Sequence, residues 1–460
     1  MPDSTSASHS SIKAIRGAFL DFVDDPFYVA ESDSVRYIPD GLLVVEDGKV
    51  KAFGAYETLQ EQYASLETVT YANNLILPGF IDLHVHYSQT EIIAAYGAQL
   101  LEWLNQYVFP TEAKFKDANH ARKIASFFLD ELLHNGTTTA LVLTTIFPAS
   151  VDVLFEEAQR RNMRLIAGQV LMSRNAPDYL LNDAKTAYQQ TREQIQRWHG
   201  NGRSLYAITP RFAITSTDEE LRLAGELKAE FPDVFVHTHL SENIQEVAYT
   251  AELFPNSKDY LNVYEQFGLV GDRSVFAHCV QLDDSAFQRL SAAGAAIAFC
   301  PTSNLFLGSG LFKLDKAKSI EHPVKVGLAT DVGAGTSLSL LKTMGDAYKV
   351  VQLQGQSLGA FKASYLATLG AAKALSLEDK LGNFDVGKEA DFVVFDLQAT
   401  PLMALRNAAL EAESLNDIAE KTFGMMILGD DRAVKATYVA GELAYQADGD
   451  PERIVSAGNR

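Results

Sequence analysis

The amino-acid sequence predicts an α/β fold: a (β/α)8 TIM-like barrel joined to a small β-sandwich domain built from both chain ends. Three observations carry this. Between residues 78 and 384, eight short apolar runs alternate with segments of helical period, as in a parallel barrel. Strand-and-turn patterning fills the stretch before and returns after it. Several of the apolar runs break into histidine or acid at their C-terminal ends, the face on which such barrels place chemistry.

Residues 1–11 are Ser-rich without an apolar core and read as a disordered tail, and 451–460 as a C-terminal tail. The small domain is expected over 12–77 plus 385–450. Its strands are Ala14 to Phe22, Gly41 to Glu46, Val50 to Phe53 and Leu75 to Leu77, with a hairpin turn at Asp47-Gly48. Asp391 to Asp396, Ala433 to Val439 and Glu442 to Tyr445 complete it. The barrel, expected over 78–384, runs Phe80 to His86, Thr137 to Leu143, Arg164 to Leu171, Leu205 to Thr209, Val234 to His239, Ser274 to His278, Ala296 to Phe299 and Lys325 to Thr330. Helices such as Ala118 to His134, Thr186 to Trp198, Asp218 to Glu230 and Asp283 to Ala292 separate these runs, and several begin with Ser, Thr or Asp suited to N-capping.

Composition narrows the function. At 460 residues and 47% hydrophobic content, the chain can fill a substantial core in two or three domains. A formal net charge of −20 with no basic stripe argues against a nucleic-acid partner. No run of 18 apolar residues and no signal-peptide core is present, so neither a membrane span nor secretion is expected. The two cysteines, Cys279 and Cys300, sit in apolar strand-like runs and read as buried thiols, which points to a reducing cytoplasm.

The most informative motif is the apolar strand that ends His84-Val85-His86. Side chains two apart on a strand share a face, so both imidazoles can grip one metal ion. One such pair could equally be exposed or satisfied by hydrogen bonds. Its weight comes from three further strand ends: His237-Thr238-His239-Leu240-Ser241-Glu242, His278, and Thr330-Asp331. Packing alone does not require a polar group at each of them. Either His237 or His239 could face the same centre.

The order His-x-His, His-x-x-Glu, His, Asp resembles the amidohydrolase superfamily. Within it, His86-Tyr87-Ser88-Gln89-Thr90, Leu100-Leu101-Glu102-Trp103-Leu104-Asn105 and Phe109-Pro110-Thr111-Glu112 are similar to the guanine deaminase family. Pro210-Arg211-Phe212, Cys300-Pro301-Thr302-Ser303-Asn304-Leu305 and Thr330-Asp331-Val332-Gly333-Ala334-Gly335 extend the likeness over nearly the whole chain. The resemblance implies hydrolytic deamination of guanine to xanthine and ammonia, with guanine and water as the small-molecule partners and a homodimer as the assembly.

The resemblance also assigns roles. The family spacing selects His239 with Glu242, so His84, His86, His239 and Asp331 form an N3O metal set with a position left for water, and His237 lies one layer deeper. Zinc is the expected metal, one per chain because the fourth strand has no lysine to bridge two; iron(II) is the alternative. Glu242 is expected to move protons, Asp331 to accept one from water, and His278 to steady the water or the intermediate. Arg211 and Gln89 would read the purine edge, with His239, Glu242 and Asp331 also touching substrate, and Phe212 would stack on the base. Trp103 and Phe115 are pocket-wall candidates. Two other readings are a ring aminohydrolase or chlorohydrolase of the same superfamily acting on triazines, pterins or other purines, and a metal-free scaffolding homologue.

Overall fold

The computed structural model describes residues 12–96, 100–412 and 414–447. The tails expected at 1–11 and 451–460, and residues 448–450 of the expected small domain, lie outside the described residues. Four strands open the chain: β1 (Ile12–Phe22), β2 (Val35–Glu46), β3 (Lys49–Ala55) and β4 (Thr68–Pro78). Asp47 and Gly48 both take positive φ, 51° and 78°, as a two-residue primed hairpin turn requires.

The chain then passes straight into the barrel. Its strands are β5 (Phe80–His86), β6 (Thr137–Leu143), β7 (Arg164–Gly168), β8 (Val170–Leu171), β9 (Ser204–Pro210), β10 (Phe235–Leu240), β11 (Ser274–His278), β12 (Ala296–Phe299) and β13 (Lys325–Leu328). They pair in parallel in chain order from β5 to β13, with the short β8 attached to β9. The expected strand Arg164 to Leu171 is thus split at Gln169. The Gln169 N–H donates to the Tyr206 hydroxyl (2.9 Å) instead of joining the ladder. Gly168 sits so close to β9 that a Cβ there would lie 1.7 Å from the Ala207 carbonyl oxygen. The seam between β13 and β5 closes just above the strands, where Asp331 N–H donates to His84 O (2.9 Å) and His86 N–H to Val332 O (2.8 Å).

Strands β14 (Phe392–Asp396), β15 (Val434–Val439) and β16 (Glu442–Gln446) return to the first sheet, giving seven strands in the order β16-β15-β14-β4-β1-β2-β3. Both chain ends therefore share one hydrogen-bonded sheet, as the fold reading anticipated. Strands β2 and β4 start earlier than expected, and two helices, Pro401–Asn407 and Leu415–Leu428, stand between β14 and β15. Asp117, Asp183, Thr217 and Asp283 each accept a backbone N–H at a helix start; Asp283 is the expected cap, whereas at Thr186 and Asp218 the cap lies upstream of the expected first residue.

Two apolar layers hold the barrel. Ile81, Leu83, Leu141, Ile166, Ala207, Phe235 and Val275 fill its interior, while Val85, Val142, Val236 and Phe276 face the surrounding helices. Among the described residues no helix is long and apolar enough to cross a membrane.

Candidate active site

A bulge creates the His-x-His geometry. Asp82 pairs with Ala140 and Val85 with Val142, so Leu83 and His84 together stand opposite Leu141. The extra residue lets the strand pack Ile81 and Leu83 inward and still bring His84 and His86 to the barrel mouth. Around the same rim, Ser241, His278, Cys279 and Asp331 all have left-handed backbones, with φ of 49°, 73°, 55° and 50°. Such conformations in non-glycine residues concentrate where a scaffold must aim side chains.

The result is a dense cluster. His84 Nε2 lies 3.1 Å and His86 Nε2 3.3 Å from Asp331 Oδ1. His86 Nε2 is 3.2 Å from His84 Nε2 and 3.3 Å from His239 Nε2. His84, His239, His278 and Asp331 each present one ligand atom, all within 4.8 Å of one another. His237, fully buried beneath, meets His84 Nδ1 through its Nε2 at 2.7 Å.

Burial sets the protonation states. It lowers His86 to about 4 and His278 to about 3, and holds His239 and His237 well below the ordinary histidine value. For Asp331 burial acts upward, but electrostatic interaction with His84 and His278 and hydrogen bonds from His84 and His86 outweigh it and hold the carboxyl well below its ordinary value. The Nε2 atoms of His84, His86 and His239 and Asp331 Oδ1 thus form one chain of contacts of 3.1 to 3.3 Å at the barrel mouth. The donor set therefore fits a divalent cation, and buried, ready-deprotonated imidazoles are the state a metal needs. His239 is already oriented, since its Nδ1–H donates to Arg211 O (2.6 Å) and leaves Nε2 free.

Glu242 stands beside this cluster, buried, with Oε1 accepting from Ser309 Oγ (3.0 Å) and Oε2 3.5 Å from His278 Nε2. Burial, then the negative charges of Glu246 and Asp331, push its carboxyl well above the usual range. Its loop is anchored by Glu246 Oε2, which accepts the N–H of Glu242 (2.7 Å) and of Asn243 (3.1 Å).

One cavity collects the remaining candidates: Gln89, Arg211, Phe212 and Trp103 line it together with His86, His239, Glu242, His278, Asp331 and the apolar Leu100, Leu104, Leu307 and Ala334. Phe115 does not line it; it is buried against Tyr87, with ring centroids 5.1 Å apart. Two partners escaped the sequence reading. Glu112 receives Arg211 Nη1 on both oxygens, at 2.9 and 2.7 Å, and Asn304 Nδ2 donates to His278 Nδ1 (2.9 Å). Both lie inside motifs quoted for the family likeness, but nothing in local spacing tells which strand-end residue each would meet.

A parallel barrel with histidines and an aspartate gathered at its C-terminal mouth, beside a buried acid and a pocket, defines a hydrolase barrel able to hold a metal ion. The chain belongs to the amidohydrolase family, whose pattern matches residues 75–444 and whose members generally use a divalent metal. It is similar to the guanine deaminase of Escherichia coli (strain K12), with 52% identity over 440 residues that cover 95% of this chain and 98% of the relative. Among solved structures it resembles a guanine deaminase from Bradyrhizobium japonicum (TM-score 0.92, 41% identity, 95% and 100% of the two chains covered). It also resembles one from C. acetobutylicum with guanine bound in the active site (TM-score 0.84, 29% identity, 95% and 100% covered).

Proposed function

We propose that this protein is a guanine deaminase, converting guanine and water to xanthine and ammonia. The observation that carries the reading is a single cavity that joins the His/Asp cluster, the buried Glu242 and the donor groups of Arg211 and Gln89. Similarity to guanine deaminases over almost the whole chain supports it independently.

His84, His86, His239 and Asp331 are the residues that would hold one zinc ion, and the same donors accept iron(II). A divalent ion bound there supplies Lewis acidity that brings the pKa of a water toward neutrality. Asp331 divides its labour: Oδ1 faces His84 and His86, and Oδ2, 3.7 Å from His278 Nε2, is free to take the water's proton. Asn304 Nδ2 donates to His278 Nδ1, which leaves the ring proton on Nε2. That makes His278 a donor that steadies the incoming water, and keeps it out of the ligand set.

Glu242 gives its proton to the ring nitrogen beside C2 as water adds to that amidine carbon. It then relays to the amine the proton that Asp331 took from the water, the C2–N bond breaks as ammonia leaves, and the proton of the new C2 hydroxyl returns to Glu242 as the carbonyl forms. Arg211 donates to the O6 carbonyl, Gln89 contacts the ring N–H edge, and Phe212, with His239 at a centroid distance of 6.3 Å, covers the base face. The two thiols, buried and unpaired, support a cytoplasmic enzyme, and the family likeness supports a homodimer.

A panel of guanine, adenine, triazines and pterins with ammonia detection tests the assignment. Guanine should be the preferred substrate; preferred release of ammonia from a triazine or pterin would move the reading to another ring aminohydrolase. Protein that binds no metal at all would favour a scaffolding role.

A further inference from the structure

We propose that Glu112 is the positioning residue that sets substrate preference, by holding Arg211 and Gln89 together as one fixed edge for a neutral ring carbonyl. This rests on the guanine reading above and deepens it. Glu112 is fully buried at the end of the helical turn Phe109–Glu112 and does not border the cavity, so its effect must pass through its neighbours.

Those neighbours are the two residues best placed to read a purine edge. Both Glu112 oxygens accept from Arg211 Nη1, at 2.9 and 2.7 Å, and Oε1 also accepts from Gln89 Nε2 at 3.3 Å. The opposite end of the Gln89 amide is tied as well, because its Oε1 accepts from Gly333 N–H at 3.2 Å. Gln89 therefore cannot rotate its amide without losing both bonds. Phe109, three residues before Glu112, places its ring 5.6 Å from the Arg211 guanidinium carbon, so one helical turn grips the guanidinium by charge and by an aromatic face.

The geometry also says what kind of group Arg211 is left to bind. Glu112 takes only Nη1, and among the described residues no acceptor meets Nε or Nη2, while Arg211 lines the cavity. A buried guanidinium with no counter-charge would select a carboxylate or phosphate. Here the charge is already matched inside the protein, so the remaining N–H groups suit an uncharged lactam oxygen. A purine with a 6-carbonyl meets that description and a 6-unsubstituted purine does not.

The test compares guanine with 2-aminopurine, which keeps the ring and the C2 amine but lacks O6. Glu112→Gln removes the charge and one acceptor while keeping the size. In the zinc-loaded variant, guanine kcat/KM should fall at least about tenfold, mainly through KM, while the 2-aminopurine inhibition constant moves less than about threefold and metal content is unchanged. Should Glu112→Gln fail to fold around an uncompensated Arg211, Glu112→Asp carries the same comparison, since it keeps the charge but draws the carboxylate back from Gln89 and Arg211. Combining Glu112→Gln with Arg211→Met should add little to the guanine loss of Arg211→Met alone, because both act through the same edge. Equal losses on both ligands, or additive losses in the double variant, would overturn the role of Glu112. Absence of guanine turnover in the wild-type protein is a different outcome, and would overturn the underlying reading.

Discussion

Replacing Glu242 by Gln isolates the proton traffic from everything else in the site. The carboxyl is buried, is pushed well above its ordinary value by that burial, and accepts from Ser309 Oγ at 3.0 Å. Glutamine matches the size of the acid and the charge of its neutral form, which burial favours, and can keep the Ser309 contact through its carbonyl. Folding should therefore be nearly unaffected, with a change below about 1 kcal/mol. Catalysis is another matter, because an amide cannot give a proton to the ring nitrogen or collect one for the departing amine. General acid–base catalysis contributes about 10² to 10⁴-fold, and a group used in both transfers belongs at the upper end. A loss of about 10³ to 10⁴-fold in kcat corresponds to about 4 to 5.5 kcal/mol of transition-state stabilisation. The assay is guanine turnover by xanthine absorbance, alongside zinc content, thermal midpoint and binding of an unreactive purine analogue. A variant with normal metal, normal analogue binding and only a few-fold loss of kcat would refute the assigned shuttle and move the protons to His278 or Asp331.

His86→Ala should lose metal and activity together, because His86 Nε2 faces His84, His239 and Asp331 at 3.2 to 3.3 Å; elemental analysis giving about one metal per wild-type chain and far less in the variant supports the mononuclear set, and two per chain would contradict it. Arg211→Met should lower guanine kcat/KM at least tenfold, as expected for a charge-assisted hydrogen bond worth about 1.5 to 3 kcal/mol, without changing zinc content; unaltered guanine kinetics would make Arg211 merely structural. Glu220, buried at the start of the helix Asp218–Glu230, has its carboxyl raised by burial from 4.5 to about 7, and Ser216, Ser173 and Arg174 offset only part of that. A raised acid stabilises the fold below its unfolded value and loses that contribution as pH climbs through its folded value. Between pH 4.5 and 8 the wild type should thus lose about 3 kcal/mol relative to Glu220→Gln in urea unfolding, and parallel stability profiles would count against it.

The barrel was legible because parallel strands covered on both faces read as continuous apolar runs, and each of the eight expected runs coincides with a strand to within a few residues. The His/Asp cluster, which could hold a metal ion, was legible for a related reason. His84, His86, His239, His278 and Asp331 interrupt those runs at their ends, and a parallel barrel brings all such ends to one rim. What stayed hidden depends on contacts that no local period encodes. Glu112 looks like an ordinary acid in a helical segment, and only the fold carries it to Arg211, ninety-nine positions on. The bulge at Leu83-His84 leaves no mark in the run itself, and the early part of β2 is masked by Pro39 and Asp40, which break the strand pattern although the strand continues through them. The two helices between β14 and β15 lie in a stretch bounded on both sides by strand patterning.

The most direct measurement is a time course of purified, zinc-loaded protein with guanine, following xanthine and ammonia together. The fold, the donor cluster and the pocket predict one xanthine and one ammonia formed per guanine consumed, abolished by exhaustive chelation and restored by zinc. Unchanged guanine in the presence of a filled metal site, or full activity after the metal is removed, would contradict the assignment of this barrel as a metal-dependent guanine deaminase.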